Sequence, residues 1–493
     1  MKLYYNVEDK PSFKETIVFA LQQLLAIMAA TIAVPAIVQN GMSPSAALFG
    51  AGVGTLVYLL FTKFKSPVFL GSSFSFLPSM FAAFAGAVTV EAGFLGLIIG
   101  AILAGLVYVV LSLVVKSVGS KWIDKFMPAV VIGPTVAIIG LCLARNAIGD
   151  LIAGGLTGAM VDGNGNFIIS AAETATEAGV FNANYLLYLA CGLVTLFTTI
   201  LFSVYGKGFL KMIPFVLGIL AGYICASILT GIGWIASVDA LKVIDFTKFA
   251  QLGTIEGWIP QFSFIKAFKG MGDFDSFGSF MAYFGTIAVA YVPVGLVVFA
   301  EHIADHKNIS SIIERDLLVE PGLNRTLLGD GVGSMAGAFF GGCPNTTYGE
   351  SIGCVAISGN ASVVTILTTS IMAIVISFIG PFSIFLSTIP SCVMGGVCIA
   401  LYGFIAVSGL KMIQKADLGD NRNLFVVSLI LIAGVGGFGL NFSGVVLTDI
   451  ACALLLGILV NVIVSRKKND DNNQEVAQEE NQEVVQETVQ EGE

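Results

Sequence analysis

Charge is what this sequence has least of. Only 12% of its 493 residues are Asp, Glu, Lys or Arg, where a soluble domain averages about 25%. That scarcity, with 56% hydrophobic residues and a mean hydropathy of +0.89, excludes a soluble globular chain. Histidine is scarcer still, at two residues, and this leaves little room for metal centres. None of the eight cysteines forms a CxxC pair, so neither a disulfide framework nor a thiolate metal site is indicated. A nucleophile paired with a base is also missing, so an enzyme is not expected. Alternating ten-residue strands are absent as well, which argues against a membrane β-barrel.

What is present is a series of long apolar runs, as helical spans require. They fall at about 15–37, 44–62, 67–84, 92–116, 127–146, 184–204, 209–231, 280–303, 326–342, 344–358, 361–380, 387–410, 423–440 and 445–465. The expected fold is an all-α polytopic membrane protein with fourteen transmembrane segments. Residues 1–14 form a polar N-terminus with no cleavable signal expected, 15–466 the membrane body, and 467–493 an acidic, disordered tail. The tail explains the net charge of −9. Residues 469–493 carry nine acids and no Lys or Arg, so the body balances at 24 of each sign. Nothing here points to nucleic acid.

With the N-terminus in the cytoplasm, 19 of the 24 Lys and Arg fall on the inner side, as the positive-inside rule asks. An even span count then returns the C-terminus to the cytoplasm. The long segment 147–183 holds four acids and no Lys or Arg, as suits an external loop.

Spans three and ten are short and interrupted. Span three reads Phe69-Leu70-Gly71-Ser72-Ser73-Phe74-Ser75-Phe76-Leu77-Pro78 and span ten Cys343-Pro344-Asn345-Thr346-Thr347-Tyr348-Gly349-Glu350-Ser351-Ile352-Gly353. Ten is seven plus three. Broken segments at matching places in two halves point to an inverted repeat with a binding site between them. Irregular backbone at that depth survives only where it is buried in protein or lines a cavity. Glu350 inside it is therefore a candidate site residue.

A second carboxylate, Glu301, ends the apolar run Met281 to Ala300. That place suits a charged cap at the cytoplasmic end of span eight. Pro293 and Gly295 would instead let the helix begin deep and bring Glu301 toward the midplane, and both readings stay open. His302 and His306 stand four apart on one helical face, next to Asp305. No third ligand is fixed by spacing, so a titrating group for proton relay is expected rather than a metal site. Two carboxylates close together in a dry cavity cannot both stay ionised, so one must hold a proton. They repel anions and accept hydrogen bonds from ring N–H groups. Backbone N–H groups near Phe74 and Gly349 would donate to carbonyl oxygens, and Phe74 and Tyr348 offer aromatic faces. A small planar heterocycle with alternating N–H and C=O groups fits, uracil being the simplest.

The strings Leu70-Gly71-Ser72-Ser73-Phe74, Ala300-Glu301-His302-Ile303 and Pro344-Asn345-Thr346-Thr347-Tyr348-Gly349-Glu350 resemble the bacterial uracil permeases of the nucleobase–cation symporter-2 (nucleobase–ascorbate transporter) family. The likeness covers about residues 12–466. It implies two inverted seven-span repeats, with a core of spans one to four and eight to eleven. A gate of spans five to seven and twelve to fourteen would complete the fold. It implies proton-coupled uracil import across the cytoplasmic membrane, no cofactor beyond protons, and a homodimer through the gate. Phe74, Glu301, Gly349 and Glu350 match substrate-binding positions. Glu301, His306 and Tyr348 match proton-coupling ones, and Ser73 and Tyr402 possible site-lining ones. The alternatives are a xanthine or urate permease on the same scaffold and an anion transporter of the same fold. Purine relatives more often carry Gln where Glu350 stands, and an anion carrier would want a basic residue there. The sequence departs from the family at Ser351, usually Asn, at Gln22-Gln23, usually Gln-His, at Ser358-Gly359, commonly Thr-Arg, and in the extra acid Asp305.

Overall fold

A computed structural model describes residues 3–153, 183–238, 241–414, 416–442 and 445–464. Most of the expected external loop 147–183 and the acidic tail 467–493 lie outside the described residues. The helices used below are α1 (Phe13–Val38), α2 (Pro44–Phe61), α3 (Leu77–Ala85), α4 (Val90–Val118), α5 (Ala129–Cys142), α6 (Ala183–Tyr205), α7 (Pro214–Ile235), α8 (Phe277–Ile313), α9 (Leu323–Gly341), α10 (Gly349–Ser358), α11 (Val363–Ile376), α12 (Ser391–Ile413) and α13 (Asn421–Val435). Among the described residues eight helices are long and apolar enough to cross a membrane. The count rises to nine if α11 and the helix Gly380–Thr388, bent by 84°, form one span. The chain is a multi-pass helical membrane protein.

Small residues decide how closely these helices approach. On α9, Gly329, Gly333, Gly337 and Gly341 recur every fourth position along one face, and α2 answers with Ala46, Gly50 and Gly54. A Cβ on Gly50 would stand 2.4 Å from the Gly337 carbonyl oxygen, and one on Gly333 would stand 2.7 Å from that of Gly54. The backbones therefore touch, as helices do in lipid, where close packing rather than water exclusion drives association. The other face of α9 meets α4 the same way, through Gly331 against Tyr108 and Gly105. The helix stops at Gly342, whose left-handed conformation (φ +75) returns its N–H to Ala338 O at 2.8 Å. In the second group of helices, α5 packs on α12 through Gly133, Gly140 and Gly409.

Spans three and ten are not continuous helices. Each begins as a three-residue strand, β1 (Leu70–Ser72) and β2 (Asn345–Thr347), and continues as a short helix. The strands pair antiparallel, Leu70 with Thr347, Gly71 with Thr346 and Ser72 with Asn345. The polar residues that keep these segments from being ordinary spans also hold their edges. Thr55 Oγ1 of α2 accepts from Leu70 N at 2.9 Å, and Asn345 Nδ2 donates to Gly50 O at 3.1 Å.

Helix α8 overruns the apolar segment of its sequence. It spans 37 residues, passes through Pro293, and continues for twelve residues beyond Glu301. Twelve residues are about 18 Å of helix. Glu301 is therefore not a terminal cap. The helix starts at Phe277, well before Pro293 and Gly295, and runs on past Glu301, which lies inside it.

At the end of α8 an exposed ion-pair chain joins Glu8, Arg315, Glu320 and Lys65. The Lys65 ammonium and then the Arg315 guanidinium hold the Glu320 carboxyl at about 2, below its ordinary 4.5. A depressed carboxylate contributes stability above its unfolded pKa and loses it as pH falls toward the folded value. Glu320→Gln should therefore lower the thermal midpoint at pH 6, and the gap to the parent protein should narrow between about pH 4.5 and 2. A gap that does not change with pH would refute this.

Candidate functional site

The strand crossing turns α8 into the wall of a site. Residues four apart share a helical face, and Glu301 and Asp305 both face the crossing. Ser75 Oγ donates to Glu301 Oε2 at 2.9 Å, and Thr347 Oγ1 donates to Asp305 Oδ2 at 2.7 Å. Each broken span therefore supplies one hydroxyl to one carboxylate. Glu350 occupies the second position of α10, where the helix N-terminus favours negative charge. Glu301, Asp305 and Glu350 are all half-buried and within electrostatic range of one another. Among the described residues no buried side chain is Lys or Arg. The site is thus rich in acceptors and poor in cationic donors, which suits a neutral ligand with N–H groups and disfavours an anion.

The other candidates distribute around this cleft. Gly349 is exposed, and a Cβ built on it meets nothing within 4 Å, nor does one on Gly353 a turn later. That face of α10 is open. Phe74 begins the helical turn after β1, and its ring stands edge-on to Tyr402 of α12 at 5.3 Å. This contact joins the broken segment to the second helix group. Ser73 is buried, and its N–H donates to Pro344 O at 2.9 Å. Tyr348 is a clasp within the crossing. Its hydroxyl donates to Ser72 O at 2.6 Å, and its ring lies 2.3 Å from where a Cβ on Gly71 would stand.

The histidines face away from the cleft. His302 and His306 stack with centroids 3.9 Å apart. His306 Nδ1 lies 2.9 Å from His302 O, so it must carry the proton. In the neutral ring its Nε2 then accepts from the Tyr58 hydroxyl at 2.8 Å. His302 Nδ1 meets Asp330 Oδ2 at 2.7 Å, and its Nε2 meets Thr326 Oγ1 at 3.0 Å. All four ring nitrogens are engaged. The group nearest Glu301 on its own face is Asp305, which sequence reading noted only as an extra acid. Its spacing of four from Glu301 was the available signal. Two departures from the family also meet in space. Gln23 Nε2 donates to Ser351 Oγ, which also receives Phe69 N–H at 3.1 Å, so α1, span three and span ten share one junction beside Glu350.

This geometry first defines a class, a multi-pass helical membrane protein whose candidate site lies where two interrupted segments cross. Solved structures share the fold. The transmembrane domain of the cyanobacterial bicarbonate transporter BicA aligns with 93% of this chain and 98% of its own, at TM-score 0.61 and 15% identity. Murine Slc26a9, an anion transporter in the inward-facing state, aligns with 94% of this chain and 69% of its own, at TM-score 0.63 and 12% identity. At such identities the likeness concerns the fold alone.

Sequence comparison goes further. Residues 14–441 match the model of a permease family. The uracil permease of Bacillus caldolyticus is 36% identical over 462 residues, covering 93% of this chain and 94% of that protein. That of Bacillus subtilis (strain 168) is 36% identical over 473 residues, with 95% and 97% covered. That of Escherichia coli (strain K12) is 33% identical over 460 residues, with 93% of each covered. The chain belongs to this permease family, the nucleobase–cation symporter-2 family, and is a transporter rather than an enzyme.

Proposed function

We propose that this protein imports uracil together with protons. The carrying observation is that Glu301, bonded to Ser75 of span three, and Glu350, at the start of α10, flank the strand crossing, with no buried Lys or Arg among the described residues. Near-full-length similarity to three uracil permeases gives the reading its substrate. Ring N–H groups of the base donate to Glu301 and Glu350, and its carbonyls accept from backbone N–H at the starts of the helical turns at Phe74 and Gly349. Ser73 and Tyr402 line the site. Protons enter through Glu301, with Asp305 on the same face, and Tyr348 and His306 take part from the crossing and from the α2 side. Protons are the only coupling group in this reading, and no cofactor is involved.

Its architectural part is a fourteen-span body of two inverted seven-span repeats in the cytoplasmic membrane, both termini inside. Spans one to four and eight to eleven form a core that slides as a unit against the gate of spans five to seven and twelve to fourteen. Two gates pair to make a homodimer. The close glycine contacts of α9 with α2 and α4 are what a rigid sliding unit would need. Labelled uracil uptake into proteoliposomes should rise several-fold under an inward acid gradient, and excess xanthine should compete poorly. No response to the gradient would remove proton coupling. Full competition by xanthine would favour the purine reading.

A further inference from the structure

The chain ahead of α1 is polar in sequence, yet residues 3–9 lie on the protein as a strap. Val7 is buried, Leu3 packs on the core, and the Tyr5 ring stands edge-on to Phe19 of α1 at 6.1 Å. Tyr4, Asn6 and Glu8 between them stay exposed, the alternation of a strand with one covered face. The strap runs parallel to the connection between α10 and α11, with Tyr5 opposite Asn360. Tyr4 N donates to Gly359 O at 2.8 Å, Ala361 N to Tyr5 O at 2.9 Å, and Val363 N to Val7 O at 3.1 Å. Ser362 precedes α11 without capping it, and its hydroxyl donates to Asp9 O at 2.6 Å. Asn360, Ala361 and Ser362 are buried, and backbone groups there must be paired. The strap supplies partners for Gly359 O, for Ala361 N–H and for the Val363 N–H at the start of α11. Farther along, Glu8 pairs with Arg315, two residues past the end of α8.

We propose that this N-terminal strap is a positioning element of the site, a splint that sets the tilt of α10 and so the direction of its first N–H groups and of Glu350. Helix α10 has ten residues, about 15 Å, too short to hold its place unaided. Its face at Gly349 and Gly353 is open, so fewer neighbours fix it than fix α9. Its first turn is tied through Ser351 to Gln23. Its last turn is tied through Gly359, where an added Cβ would stand 2.8 Å from the Tyr4 ring. Both ties come from one continuous stretch, residues 4–23. With the strap undocked, α10 would pivot on the Ser351 tie and turn its N-terminal end relative to Glu301. Val7 is the anchor, as the strap's fully covered apolar side chain. The expected effect on uracil affinity rests on the uracil reading, whereas the tilt of α10 does not.

The test is amide hydrogen exchange on the detergent-purified full chain, beside equilibrium binding of labelled uracil. Val7→Asp puts a charge where the strap is buried and should undock it. Exchange in residues 353–358 should then quicken roughly tenfold, exchange in α9 should stay as in the parent, and the uracil Kd should rise several-fold. Ser362→Ala removes a single bond to the strap. It should move both readouts the same way by a smaller factor, and it decides the matter should Val7→Asp fail to fold. Val7→Ile should behave as the parent does. Faster exchange confined to the strap would overturn the proposal. Faster exchange in α10 with an unchanged uracil Kd would overturn it too, since a merely structural strap gives that result. A parent protein that binds no uracil would remove the uracil reading, and exchange in α10 would then decide for or against the splint.

Discussion

Glu350→Gln should reduce uracil uptake in proteoliposomes at least a hundredfold while leaving the protein folded. The side chain is only half-buried and the amide is near-isosteric, so the change costs little in packing. What it removes is a charged acceptor. A hydrogen bond to a charged group contributes about 1.5–3 kcal/mol, and leaving a buried donor unmatched adds its desolvation cost. The amide also turns a donor toward the ring N–H. Glu301→Gln should be as damaging to uptake, but by a different route. The Gln carbonyl still accepts from Ser75, so the wall survives, whereas the group that takes and releases a proton is lost. The two variants separate in exchange of uracil across the membrane without a proton gradient. Glu301→Gln should retain part of that exchange if it still binds base, and Glu350→Gln should retain none. Equal, wild-type uptake by either variant would refute the site.

Gly71→Ala should abolish uptake through the backbone rather than through chemistry. The added methyl would stand 2.3 Å from the Tyr348 ring, which its hydroxyl pins to Ser72 O. Neither the ring nor the strand yields cheaply. Overpacking of this kind costs about 1–3 kcal/mol, and it would be relieved by parting β1 from β2, moving Glu350 away from Glu301. Tyr348→Ala in the Gly71→Ala background should restore part of the lost thermal stability, since it removes the clash. Uptake should not return, because the clasp is gone. Normal uptake by Gly71→Ala alone would show that the crossing is not rigid.

Much of the fold and part of the site could be read along the chain. The apolar runs place the helices, and the polar, glycine-rich strings at Gly71 and Gly349 mark both broken spans. The motif around Glu350 leads to the family, which the relatives confirm. The end of α8 could not be read. Its last turns carry Glu301, His302, Asp305, His306 and Lys307, polar enough to look like a helix end in water. They remain helical because α2, α9 and β2 satisfy them.

The amino-acid order alone determined that this is a many-span helical membrane protein, where its helices are interrupted, and to which family it belongs. Those properties depend on hydropathy and motif over stretches of about twenty residues. Tertiary structure decided which carboxylates gather at the strand crossing and which way each histidine turns. Ser75 and Glu301 are 226 positions apart, and Gln23 and Ser351 are 328. Contacts at that separation follow from how glycine faces let helices approach and how two strands cross, and no local pattern encodes them.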